Sequence, residues 1–347
     1  MDILYVGLDV GKKFCQVYAF SEQGEVMEAR VATQCLGSWE ALLSDWARRF
    51  ELHAAYEAGP HYEWMHEFLE RFCRQVVMVN PAAFAVISQS QKKTDKNDAR
   101  KLAEGVRRGE LPAVFVPPAR VRADRRLVSF IHWRSRRAAS AKTRLRSVLL
   151  SYRLDYPRRE IASAKARVWF EREAKPRMDE QGWGLVNMLL DELALLERQR
   201  QALDAELPKR LGRYGRAADV LDSVPGFGPL SVLAILSAIV EIGRLGSAKD
   251  LCGYFGTCGR VYQSGQTLRL GALTKRGNKT VRWLLSQALS GLHRGDARAR
   301  QRYRRLKRRK RTGIARGAQV NWLVRIVFYM LSREQAYRMP ERLKQAA

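Results

Sequence analysis

The chain has 347 residues, 46% of them hydrophobic, enough for a sizeable core and for more than one domain. Its net charge of +28, from 63 Lys+Arg against 35 Asp+Glu, points to a polyanionic partner. Five scattered cysteines without CxxC spacing argue against a disulfide framework and a zinc site, and no apolar run reaches the ~18–20 residues of a membrane span.

The start MDILYVGLDVG lacks the basic and apolar regions of a signal peptide, so the expected setting is cytoplasmic and reduced, with no membrane partner. The charge is uneven. Residues 1–110 carry 14 Lys+Arg and 16 Asp+Glu, which leaves 49 basic and 19 acidic residues for the remainder. A near-neutral catalytic fold followed by a nucleic-acid grip is the simplest division.

Ile3–Leu8 reads as a buried strand that ends at Asp9. Phe14–Phe20 and Glu25–Val31 complete a β-meander. Ser38 is the expected N-cap of a helix reaching Phe50. A short strand, Ala54–Tyr56, leads to Glu57, a helix runs from Pro60 to about Arg74, and Gln75–Val79 is a further strand. Thr94 is expected to cap a helix from Asp95 to about Arg108. The order βββαβαβα is that of a mixed α/β domain of the ribonuclease-H type.

Pro117 and Pro118 mark the clearest boundary. Beyond them Ala119–Tyr152 reads as a basic helix, and residues 185–207 as a long amphipathic helix suited to a coiled-coil arm. A second compact unit begins near Asp219. The expected domains are 1–118, a helical connector 119–215, and a mainly helical part 216–347.

Four carboxylates stand out in the first domain. Asp9 and Glu57 end strands, and strand ends converge in α/β sheets. Asp95 and Asp98, three apart on a helix, project from one face. Four such charges at one point repel unless divalent cations neutralise them. Mg²⁺, with Mn²⁺ as an alternative, suits hard oxygen ligands and phosphodiester chemistry. Singly, each residue equally suits a turn or a helix cap. His61, Glu63, His66 and Glu67 form a rival cluster better read as packed or solvated.

Ser223–Pro229 places Gly226 and Gly228 in a turn before an apolar helix, Leu230–Ile239. Such a helix-hairpin-helix grips a DNA backbone, although a plain tight turn has the same composition. Leu251–Gly277 reads as a Gly- and hydroxyl-rich connection between helices. Ser264 and Tyr262 are candidate nucleophiles there, with Lys275, Arg276 and Lys279 as phosphate-neutralising cations. Residues 294–316 hold 12 Lys+Arg against one acidic residue; Arg304, Arg305, Lys307, Arg308 and Arg309 are candidate phosphate contacts. An apolar helix, Val320–Leu331, follows.

Together GLDVGKKF, YEAGPHYEW, NPAAFAVISQSQKKTDKNDARKLA, VPGFGPLSVLAILSAI, SAKDLCGYFGTCGRVYQSG and LTKRGNKTVRWLLSQAL resemble the transposases of the insertion-sequence 110 family and the Piv-type DNA invertases. The hairpin carries Phe227 where the family more often has isoleucine, and Gly59-Pro60 stands where the family more often has Thr-Gly. The resemblance implies a RuvC-like domain whose metal site falls on Asp9, Glu57, Asp95 and Asp98, and a serine nucleophile at Ser264. It further implies DNA strand exchange through a serine–DNA link, with carboxylates of one subunit acting beside the serine of another. The implied partners are element-end and target DNA, a noncoding bridge RNA, and further copies of the chain as a dimer or tetramer, in a cytoplasmic setting at the bacterial nucleoid. A Holliday-junction-type nuclease using the same carboxylates without a covalent step is the alternative.

Overall fold

The computed structural model describes residues 1–87, 95–156, 160–161, 163–264, 267–274 and 276–338. Thr94, Gly265 and Lys275, each part of an expectation above, lie outside them. The chain divides into two compact units, the first Met1–Ala119 and the second from Arg120 onward.

In the first unit, β1 (Asp2–Val10), β2 (Phe14–Ser21) and β3 (Val26–Ala32) form an antiparallel meander, and β4 (Phe50–Glu57) and β5 (Cys73–Val79) extend it in parallel. The sheet order is β3-β2-β1-β4-β5. The central strand β1 is apolar on both faces, as a strand covered on both sides must be. Leu4, Val6 and Leu8 face α1 (Leu36–Arg49) and α2 (Tyr62–Leu69), packing with Trp39, Leu43, Met65 and Leu69. Tyr5 faces the opposite way, into a smaller core with Ala55, Phe84 of α3 (Pro81–Ile87), and Leu102, Ala103 and Val106 of α4 (Asp95–Arg108).

The expected Ser38 cap is not formed. Helix α1 begins at Leu36 after Cys35, and the Ser38 hydroxyl lies 3.1 Å from the Cys35 sulfur instead. The turn Cys35 N–H to Ala32 O starts the helix early enough to aim Trp39, Leu43 and Trp46 at the sheet. The strand expected at Ala54–Tyr56 is longer, because β4 pairs along its length with both β1 and β5.

The second unit is mostly helical. Its longest helices, α5 (Ala119–Ser151) and α7 (Glu180–Leu211), run antiparallel: Arg134 donates to the Leu196 carbonyl, and Arg137 meets Glu192 at 2.6 Å. Their far ends enclose a small core with α6 (Ala164–Trp169), built on Leu145, Leu149, Phe170, Val186 and Leu190. The amphipathic pattern of 185–207 therefore packs within the chain, on α5. Where the pair joins the main core, Asp124 is almost fully buried and accepts from Arg210 at 2.7 Å and from the Tyr214 hydroxyl at 2.9 Å.

The main core surrounds α9 (Pro229–Ile239), buried from Ser231 to Ile239. Around it lie α8 (Arg216–Asp222), α10 (Ala248–Tyr254), α11 (Lys279–Gly295), α12 (Ala297–Arg309) and α13 (Thr312–Ser332). The stretch 251–277, expected as a Gly-rich connection, holds the end of α10 and a hairpin, β6 (Gly259–Ser264) with β7 (Thr267–Leu273). Gly271 leaves room for the Tyr262 ring across the hairpin, so glycine here serves a strand contact. Among the described residues no helix is long and apolar enough to cross a membrane.

Candidate active site

The four carboxylates belong to the face of the first sheet that α4 covers. Strand residues alternate, so Tyr5, Gly7 and Asp9 share one side of β1, and Ala55 and Glu57 the same side of β4. Leu8 pairs with Tyr56 in the parallel register, which sets Asp9 level with Glu57 on the neighbouring strand. Both side chains are half-buried.

Gly7 decides where α4 lies. A Cβ on Gly7 would collide with the Ala99 carbonyl oxygen and stand 2.6 Å from the Ala103 nitrogen. The helix backbone thus rests on the strand backbone, a contact only glycine allows. At the other end of α4, Arg107 lies 5.9 Å over the Phe20 ring, and Phe20 pairs with Tyr5. The helix therefore runs antiparallel to β1, with its first turn over the end of the strand that carries Asp9. Asp95 and Asp98 occupy that turn. Asp95 is exposed; Asp98 is half-buried, with Lys101 3.8 Å away, and Lys96 bonds Glu28 of β3 at 2.8 Å.

Two strand ends and one helix turn thus bring Asp9, Glu57, Asp95 and Asp98 to one end of one sheet face. Among the described residues, no three acidic, His or Cys side chains stand close enough to hold a metal ion as they lie. The donor set is all carboxylate oxygen, which suits a hard divalent cation. Negative potential from Asp9 reaches Cys15, whose thiol is pushed up mainly by burial and further by the Asp9 charge. The rival histidines are engaged locally: His61 accepts from Trp64 Nε1 at 3.4 Å, and His66 lies 3.5 Å from Glu70.

The second unit spreads its candidates. Ser264 is the last residue of β6 and pairs with Thr267. Tyr262, in the same strand, is 55% exposed. Gly226 has φ +91° and packs against the α11 backbone: an added Cβ would stand 2.8 Å from Leu292 N and 2.9 Å from Gly291 Cα. Gly228 precedes α9 in extended conformation with open space around it. Arg276 is exposed, and so is Lys279 at the first position of α11. Arg304, Arg305, Lys307, Arg308 and Arg309 are all exposed on α12. Tyr303 of α12 stacks on His293 of α11 at 4.6 Å, which anchors that helix.

His132 is a structural residue that composition does not flag. Its ring stacks on Trp283 at 4.7 Å and its Nδ1 lies 2.9 Å from the Thr280 hydroxyl, tying α5 to α11. Burial and the Arg136 charge push its pKa down; burial with Arg300 and Arg316 does the same for His293. Both depressed values favour the neutral ring in the fold, so this stabilisation is present above the unfolded value of about 6.5 and is lost as pH falls toward the folded values. Thermal melting at pH 8 and at pH 5.5 is expected to show a lower Tm at the acidic value. His132→Asn is expected to reduce that difference, leaving the part carried by His293.

Two family models match the chain. One, described as Transposase and built on DEDD transposases, covers residues 6–154; the other, Transposase IS116/IS110/IS902 family, covers residues 218–304. The chain is 26% identical to a "Probable family 20 transposase" of Pseudomonas aeruginosa over 97% of its own length and 99% of the relative's. It is 25% identical to "Putative transposase y4qE" of Sinorhizobium fredii over 81% and 70% of the two chains. It is 22% identical to "Transposase for insertion sequence element IS1111A" of Coxiella burnetii over 97% and 92%. The first model spans all four carboxylates and the second spans the α8–α9 turn, the hairpin of Ser264 and most of α12. The chain belongs to the IS110 family of insertion-sequence transposases, enzymes that act on DNA.

Proposed function

We propose that this transposase cuts and rejoins DNA with a cation held by Asp9, Glu57, Asp95 and Asp98, and with the hydroxyl of Ser264 as nucleophile. The observation that carries the reading is the register Leu8–Tyr56, which levels Asp9 with Glu57 beneath the α4 turn of Asp95 and Asp98. The strand order β3-β2-β1-β4-β5 with its antiparallel meander supports a RuvC-like reading of residues 1–118. The short helices α8 and α9, joined through Gly226 and Gly228, support a helix-hairpin-helix that holds a DNA backbone. We read 119–215 as a connector whose arm is the α5–α7 pair, and 216–347 as the serine-containing domain.

The four carboxylates would hold Mg²⁺, or Mn²⁺, which when bound supplies positive charge that stabilises developing negative charge on a phosphodiester. Ser264 Oγ forms a bond to phosphorus as the P–O3′ bond breaks. The product is a 5′-phosphoserine link and a free 3′-hydroxyl, with the serine proton passed to solvent and a proton taken up by the departing oxygen. Attack by another strand's 3′-hydroxyl restores the phosphodiester and the serine. Arg276, Lys275, Lys279 and the exposed cations of α12 neutralise phosphates along the DNA. The basic excess after residue 110 also suits a structured bridge RNA and assembly of several copies on one nucleic acid.

The test is trapping with element-end DNA, Mg²⁺ and co-purified RNA, quenched in denaturant and analysed by mass. An adduct on Ser264, lost in Ser264→Ala and in Asp95→Asn, is the expected result. Nicked DNA without an adduct, still produced by Ser264→Ala, would instead assign the chemistry to the carboxylates alone, as in a Holliday-junction-type nuclease.

A further inference from the structure

Helix α5 presents an exposed stripe at helical spacing on the side away from both helical cores. Phe130 is 45% exposed and Trp133 is 51% exposed, with ring centroids 5.4 Å apart and planes 31° from parallel. Two large aromatic faces left to water on one helix have no role in packing either core. Trp133 borders a groove of about 740 Å³ between α5 and α7, lined also by Arg136, Arg137, Arg144, Leu189 and Glu192 among others.

The cations there differ in how they are held. Arg137 is committed: it bonds Glu192 at 2.6 Å and sits 5.8 Å over the Trp133 ring, bracing the indole. Arg136 and Arg144 are exposed, and no carboxylate or carbonyl among the described residues pairs with either. Eight residues apart on one helix, they stand about 12 Å apart along its axis. The groove therefore offers an exposed aromatic face flanked by two uncommitted guanidiniums.

We propose that this groove binds an unpaired DNA strand, with a base stacked on Trp133 and phosphates on Arg136 and Arg144. A duplex keeps its bases stacked and gains nothing from an exposed indole, whereas an unpaired base stacks on any aromatic face. A second copy of this chain fits poorly: a two-fold contact through this face sets its arginines against the same arginines. The inference rests on the reading that DNA strands are cut and exchanged, a reaction that leaves a strand unpaired between cleavage and rejoining. The binding itself needs neither Ser264 nor the carboxylates.

The experiment is fluorescence anisotropy of the full chain in EDTA, with a labelled oligo-dT strand, a mixed-sequence duplex of equal length, and oligo-U. Trp133→Ala is expected to weaken oligo-dT binding about tenfold and duplex binding less than twofold, while Trp133→Phe retains most of the affinity. Arg136→Ala with Arg144→Ala is expected to reduce the salt slope for oligo-dT by about 1.4. Equal losses on strand and duplex, or no loss on either, would overturn the proposal. Tighter, Trp133-dependent binding of oligo-U would overturn the assignment to DNA. A change of oligomeric state by sedimentation in Trp133→Ala, with strand binding intact, would make the face a protein interface. Because cleavage is absent in EDTA, failure here leaves the trapping result on Ser264 standing, and failure of trapping leaves this result readable.

Discussion

Asp9→Asn is expected to reduce DNA cleavage by about three orders of magnitude while leaving the fold intact. The substitution keeps the size of the side chain and removes one of four charges gathered at the end of the sheet. Electrostatic stabilisation of a transferring phosphate is worth several kcal/mol, so a loss near 10³-fold is the natural scale. Asp9 is half-buried at the close of β1, outside both cores of the first unit, so packing is not the cause of the loss. Stability offers a second readout that activity does not confound. Without a divalent cation, Tm is expected to change little, because Asp9 lies outside both cores. With MgCl₂ added, the parent chain is expected to gain Tm by mass action and Asp9→Asn to gain little. Parallel Mg²⁺ shifts in the two proteins would show that Asp9 holds no cation.

Much of this candidate site is legible in the sequence. Apolar runs and turn signals place Asp9 and Glu57 at strand ends, and the helix expected at Asp95–Arg108 is the helix found. Those features are local, and a periodicity of two or of 3.6 reports them directly. The rest depends on contacts between distant segments. That Asp9 stands level with Glu57 follows from a parallel register across more than forty residues of intervening chain. The pairing of α5 with α7 depends on Arg134 reaching Leu196, which no window over 185–207 contains. The β6–β7 hairpin is hidden because its glycines read as loop, although Gly271 is there to admit Tyr262. The early start of α1 was masked by a good capping residue, Ser38, which sits within the first turn of the helix. Gly7 left a signal that was readable and missed: a lone glycine within a buried apolar strand marks a close backbone approach.

That glycine carries the second large expectation. Gly7→Val is expected to abolish cleavage and destabilise the first unit together, unlike Asp9→Asn, which separates the two. A valine is a good strand residue, and by propensity alone the change would favour β1. Its Cβ, however, would collide with the Ala99 carbonyl oxygen, part of a helix backbone that no rotamer change moves. Either α4 lifts from the sheet, opening the core of Tyr5, Ala55, Leu102 and Ala103, or β1 shifts its register against β2 and β4. Overpacking alone costs about 1–3 kcal/mol, and lifting the helix adds exposure of buried leucine and alanine. In each case the turn of Asp95 and Asp98 leaves the end of β1, so activity falls even in molecules that remain folded. Gly7→Ala tests the geometry with one methyl group, since its Cβ meets the same carbonyl oxygen. It is expected to lower Tm and to cut activity more than its stability loss explains at a temperature well below the melt. Activity equal to the parent in a folded Gly7→Ala protein would mean that α4 does not set the position of the two aspartates.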